Sequence, residues 1–161
     1  MQLQLKPAVK GLITALLMIV AALIIDQTGN TNPRFQYFVY LIYGTGIFWT
    51  LYAKSRQEDT IGSFKEYFST GFRCFIIITL LMVVFTIIFL KMHPEFLEQE
   101  AIATKEYYIQ KGGKTPAEME ELANMAKKRY PVLVISLSIF RYLLIGTGFT
   151  VFFSLLFTRR K

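Results

Sequence analysis

Four long apolar blocks govern what this chain can become. They occupy residues 8–25, 35–53, 71–90 and 132–157, with short charged segments between them. Each approaches or exceeds the roughly 20 residues that a helix needs to cross the hydrocarbon core of a bilayer. Within a block the apolar residues are continuous, as in Phe75-Ile76-Ile77-Ile78-Thr79-Leu80-Leu81-Met82-Val83-Val84-Phe85. A membrane β-barrel would instead show segments of alternating hydrophobicity. Without water, backbone polar groups must be satisfied inside the segment, which leaves the helix. The expected fold is therefore all-α. It has four transmembrane helices in a single integral membrane domain spanning residues 1–161.

Composition agrees with this reading. Of the 161 residues, 53% are hydrophobic and 18% charged, against about 25% charged in an ordinary soluble domain. The net charge is +7. Many of the cations flank apolar blocks: Lys6 and Lys10, Lys54 and Arg56, and Arg159, Arg160 and Lys161. That placement suits membrane topology and not a nucleic-acid-binding face. The single cysteine, Cys74, excludes an internal disulfide and reads as a small buried hydrophobe. The first block has the basic start of a signal peptide. It lacks a clear small-x-small cleavage site, however, and leads by a tight turn into the next block, so a retained helix is expected.

Orientation is read from the cations. The 26–34 segment has one basic residue, whereas the 54–70 segment has Lys54, Arg56 and Lys65. Both termini are basic. An even number of spans places both termini on one side, and the expected arrangement has the N and C termini in the cytoplasm. The cluster Lys127-Lys128-Arg129 argues mildly the other way.

The segments between the blocks carry helix signals of their own. Residues 94–111 are rich in helix formers and stop at Gly112-Gly113. Thr115-Pro116-Ala117-Glu118 reads as a capping box with Pro at the first helical position. Met119, Leu122, Ala123 and Ala126 then form one apolar stripe. A helical hairpin over about 94–129 is expected outside the membrane, ending near Pro131. Ile61, Phe64, Tyr67 and Phe68 suggest a short interfacial helix before the third span. Gly44-Thr45-Gly46 in the second block echoes Gly146-Thr147-Gly148 in the fourth. A transporter repeat is one reading, and close helix approach through small residues is the simpler one.

No catalytic constellation emerges. The only histidine is His93, and neither a Ser-His-Asp nor a Cys-His arrangement can be built around it. His93, Glu95 and Glu98 could be imagined around a metal, but carboxylates at a helix start explain themselves through its dipole. No catalytic, metal or cofactor site is assigned, and no cofactor is expected. The residue singled out is Arg141, ten residues into the fourth block, since intramembrane arginine costs about 2.5 kcal/mol or more. It could line a solute or lipid-headgroup site. It could also mark a late-entering helix, or pair with Asp26 or another polar group. Arg73, near the start of the third block, can reach the inner headgroups by snorkelling. Asp26 and His93 complete the set of candidates.

These features resemble the domain of unknown function 4199 family, small membrane proteins found mainly in Bacteroidota. The resemblance rests on the order of spans and on three segments. Ser63-Phe64-Lys65-Glu66-Tyr67-Phe68-Ser69-Thr70-Gly71-Phe72 enters the third span. Met92-His93-Pro94-Glu95-Phe96-Leu97 leaves it. The capped helix from Gly113 to Glu121 precedes the fourth. The resemblance implies a bacterial inner-membrane location and a four-helix arrangement, and it implies no activity. The expected function is that of a non-enzymatic scaffold or accessory subunit. Its partners would be the lipid bilayer and either a membrane protein or further copies of itself, with no nucleic acid. A small solute or lipid transporter or channel is the alternative, and an envelope lipid-modifying enzyme is third.

Overall fold

A computed structural model describes residues 5–28, 34–56 and 62–159. Every regular element among them is a helix: α1 (Pro7–Gln27), α2 (Arg34–Ser55), α3 (Phe64–Met92), α4 (Glu95–Lys111) and α5 (Pro116–Thr158). The chain divides into two compact units. One comprises Met1–Met82 with Phe140–Lys161, the other Val83–Ile139. The division falls inside α3 and inside α5.

Three helices, α1, α3 and α5, are long and apolar enough to cross a membrane. The expectation of four is corrected at α2. Its 22 residues match the 21 of α1 in length. Four tyrosines, Trp49, two glycines and two threonines, however, dilute its apolar character. The argument that both termini share one side needed an even count of spans, and three candidates do not supply it.

Two boundaries also differ from expectation. The interfacial segment before the third span is not a separate helix. Phe64, Tyr67 and Phe68 form the first turns of α3 itself, while Ile61 lies outside the described residues. The start of α3 is fixed by Glu66, whose carboxylate accepts the Ser63 backbone N–H at 3.0 Å. Pro131 does not end a helix either: it sits inside the 43-residue α5. A proline removes one hydrogen bond and clashes with the preceding turn, at about 3 kcal/mol. Helix already established on both sides can absorb that locally, since propagation is easier than nucleation.

The first unit is held by close approach. α1 and α2 run antiparallel, with Thr14 pressed against Gly46 and the Lys10 ammonium 5.4 Å from the centroid of the Trp49 ring. α1 meets α3 where Gly11 faces the Cys74 carbonyl. Tyr43, fully buried, donates from Oη to the Tyr142 carbonyl at 3.1 Å and lies 3.4 Å from Thr79 Oγ1. Gly146 sits directly against that hydroxyl. A side chain there would shield the carbonyl one turn earlier, so the missing Cβ opens Tyr142 to the phenol. The echo between the two Gly-Thr-Gly segments does not extend to their packing. Gly46 and Gly146 face neighbours closely, whereas nothing lies near Gly148.

In the second unit the chain turns between α4 and α5 through Gly112 and Gly113, at φ of 69° and 81°. That left-handed region favours glycine. Thr115 and Glu118 satisfy each other reciprocally: Thr115 N–H donates to Glu118 Oε2 at 2.8 Å, and Glu118 N–H to Thr115 Oγ1 at 3.3 Å. Glu98 pairs with Lys127, and Lys105 with Glu120 at 3.5 Å, which sets α4 antiparallel to the beginning of α5.

Gly146→Ala should lower the thermal midpoint in detergent, since overpacking costs roughly 1–3 kcal/mol. Gly148→Ala, which adds a methyl to open space, should leave the midpoint unchanged or raise it, consistent with a helix propensity gain of up to about 1 kcal/mol. Equal effects at the two positions would contradict the packing described.

Candidate functional site

Arg141 belongs to the first unit, on α5, and is exposed. Its Nη1 donates to Tyr40 Oη at 3.2 Å. The Tyr40 ring in turn lies 6.1 Å from that of Tyr142, which lies 6.1 Å from that of Tyr43. Arg141 is thus the outer end of a tyrosine cluster whose inner end is the buried Tyr43. Of the explanations open from sequence, the structure supports pairing with a polar group, here a phenol.

Arg73 lies in the third turn of α3 and is exposed. It lines a cavity of about 480 Å³ together with Lys54, Ser63, Lys65, Glu66, Ser69 and Thr70. In sequence these cations stood singly, as topology markers. The spacing of Lys65, Ser69 and Arg73, four apart on one helical face, was the signal that could have joined them. Lys10 was also underread. It was read only as a cation flanking the first block, and only 6% of its surface is exposed. The aromatic Trp49 on the returning helix supplies the face that accommodates it.

Asp26 is exposed in the last turn of α1. His93 belongs to the second unit, stacked on Phe89 with ring centroids 4.4 Å apart, and its Nδ1 lies 2.6 Å from Glu95 Oε1. Glu98 engages Lys127 instead. Among the described residues no three metal-ligating side chains converge. The Glu95 carboxyl is held below its ordinary range, first by its own backbone N–H at the start of α4 and then by His93.

Two further cavities line the first unit. One, of about 650 Å³, is bordered by aromatic and leucine side chains of α2 and α5, with Arg159 as its cation. The other, of about 340 Å³, lies between α1 and α2. The outer surface of the unit is apolar: Leu16, Leu17, Val20, Phe38, Leu41, Leu80 and Phe152 are all more than half exposed.

These features define a class: an all-α protein whose apolar helices and apolar exterior are those compatible with a membrane protein. Residues 10–159 match the family described as protein of unknown function (DUF4199), and the chain belongs to that family. No curated protein and no solved structure matches it.

In a double-mutant cycle, Tyr40→Phe and Arg141→Leu should show a coupling of about 0.6 kcal/mol in detergent unfolding, the average for such bonds between membrane helices. Zero coupling would detach Arg141 from Tyr40. The lowered carboxyl of Glu95 stabilises α4 when ionised. Its contribution is complete above the ordinary glutamate range of about 4.3 and disappears as pH falls through the lower folded value. Hydrogen exchange in the first turn of α4 should therefore accelerate, relative to intrinsic rates, as pH falls below the ordinary glutamate range, and Glu95→Gln should remove that pH dependence.

Proposed function

We propose that the protein is a non-enzymatic integral membrane protein of the bacterial inner membrane that serves as a scaffold or accessory subunit. The observation that carries this is the distribution of its side chains. Large apolar groups point outward along α1, α3 and α5, while polar groups, Thr14, Tyr43, Thr50 and Thr79 among them, are buried inside the first unit. Tyr43 meets Tyr142 and Thr79. Thr50 Oγ1 bonds the Gly46 carbonyl at 2.9 Å and lies 3.3 Å from Cys74 Sγ. Thr14 Oγ1 donates to the Lys10 carbonyl at 2.8 Å. The Thr14 bond and the Thr50–Gly46 bond close within their own helices, whereas the Tyr43 contacts and Thr50–Cys74 cross between helices and join them where apolar surface has no driving force to do so.

Orientation is argued from the gathered cations. The start of α1, the end of α2, the start of α3 and the end of α5 share one end of the first unit, because α2 returns antiparallel to α1 although it is not itself apolar enough to count among the candidate spans. Lys10 meets Trp49, and the Tyr52 and Tyr67 rings lie 6.4 Å and 6.0 Å from that of Phe157. Lys54, Arg56, Lys65, Arg73 and Arg159 belong to this end, which we place at the cytoplasmic face. α4 and the beginning of α5 form the extramembrane hairpin. Exposed Ile102 and Ile109, seven residues apart on α4, offer it a contact surface.

One observation favours transport as the second reading. Thr150 Oγ1 and Ser154 Oγ are buried on α5 with no hydrogen-bond partner among the described residues. Buried hydroxyls without a partner call for one, and a polar solute passing between the helices would supply it.

The scaffold reading predicts that the protein stays in the membrane pellet after alkaline carbonate extraction. Photocrosslinkers at Ile102 and Ile109 in cells should give a discrete protein adduct, while one at Leu16 should give lipid adducts only. Two differently tagged copies would reveal whether the adduct is a second copy of the chain. Carbonate release would overturn membrane integration, and no adduct at either α4 position would overturn the scaffold role.

A further inference from the structure

We propose that the cavity between the end of α2 and the start of α3 binds the phosphate of an anionic phospholipid headgroup. Lys65 and Arg73 supply the charge, and Ser63 and Ser69 the hydroxyls, with Lys54 and Thr70 also lining the cavity. All seven lining residues are polar, and three of them are cations against one carboxylate. That carboxylate, Glu66, is engaged by the Ser63 backbone N–H, and the Glu66 N–H returns to the Ser63 carbonyl at 3.0 Å. Thr70 Oγ1 donates to the Glu66 carbonyl at 2.9 Å, so its proton is committed, and the hydroxyls that line the cavity as donors are those of Ser63 and Ser69. The excess of positive charge, hydroxyl donors and the positive end of the α3 dipole together suit a phosphate oxyanion.

The choice of a lipid over free phosphate comes from the next turns of the same helix. Lys65, Ser69 and Arg73 recur at intervals of four and form one column about 12 Å long. Ile76 and Leu80 continue that column at three and seven residues beyond Arg73. Leu80 is 58% exposed. One face of α3 therefore changes along its axis from cationic to apolar, in the order headgroup and then acyl chain. Phosphate alone would need only the first half of that face. Arg73 has the reach and planar fork to meet a phosphodiester at the boundary between them.

The inference rests on the membrane reading above. The test uses full-length protein in detergent, titrated with short-chain phosphatidylglycerol, short-chain phosphatidylcholine or inorganic phosphate, with binding measured by native mass spectrometry. Phosphatidylglycerol should bind in preference to phosphatidylcholine. Lys65→Gln and Arg73→Gln should each weaken it about fivefold, the value of one cation near an anionic surface. Arg141→Gln, which removes the same charge elsewhere on the unit, should leave binding unchanged. Arg73→Lys, which keeps the charge and loses the planar fork, should weaken binding less than Arg73→Gln. Helical circular dichroism and the thermal midpoint identify any variant that fails to fold, and Lys54→Gln then provides an independent reading. Equal binding of both lipids, equal losses at Arg141 and Arg73, or inorganic phosphate displacing the lipid would overturn the proposal while the protein remains in the membrane pellet. Release by carbonate would instead overturn the membrane reading itself.

Discussion

Tyr43 is where three helices of the first unit meet. Its ring is buried from α2, its hydroxyl reaches the Tyr142 carbonyl on α5, and Thr79 approaches from α3. A buried phenol without a partner would cost about 1–3 kcal/mol, so the position of the hydroxyl constrains both neighbours. Gly146 makes the arrangement sterically feasible by leaving the carbonyl bare. The ring contact between Tyr43 and Tyr142 carries the constraint outward to Tyr40 and Arg141. Arg141, the most unusual residue in its block, is thus the rim of a packed tyrosine cluster.

The two ends of the first unit differ in chemistry. The Arg141 end is aromatic, with one cation held by a phenol. The other end collects Lys54, Lys65 and Arg73 around the start of α3, and Arg159 beside α2 and the end of α5. The second unit obeys different rules. A capping box, two glycines of positive φ and two ion pairs order it. Its exposed ion pairs contribute little each, so the turn chemistry and caps set its geometry.

Much of the fold was legible from the sequence. Blocks 8–25 and 71–90 fall inside α1 and α3, because a run of apolar residues without breakers has few alternatives to a helix. The capping box at Thr115 and the turn at Gly112 are local, so their chemistry is carried by adjacent residues. The errors also have local causes. Pro131 looked like a boundary because its intrinsic cost is about 3 kcal/mol, and the helix formed on both sides outweighed it. The second block read as a membrane span by its length. Tyr43, Gly44 and Gly46, which lower its apolarity, turn out to be residues through which α2 packs.

Sequence alone determined the helical class, the family and the local caps, since each depends on residues close in the chain or on bulk apolarity. Tertiary structure decided which polar groups meet. Arg141 and Tyr40 are separated by 101 residues, and Tyr43 and Tyr142 by 99. Lys54 joins Lys65 and Arg73 only because two helices return to the same end. No periodicity encodes such meetings, because they depend on how closely helices approach, and that is set by single missing Cβ atoms such as those of Gly46 and Gly146.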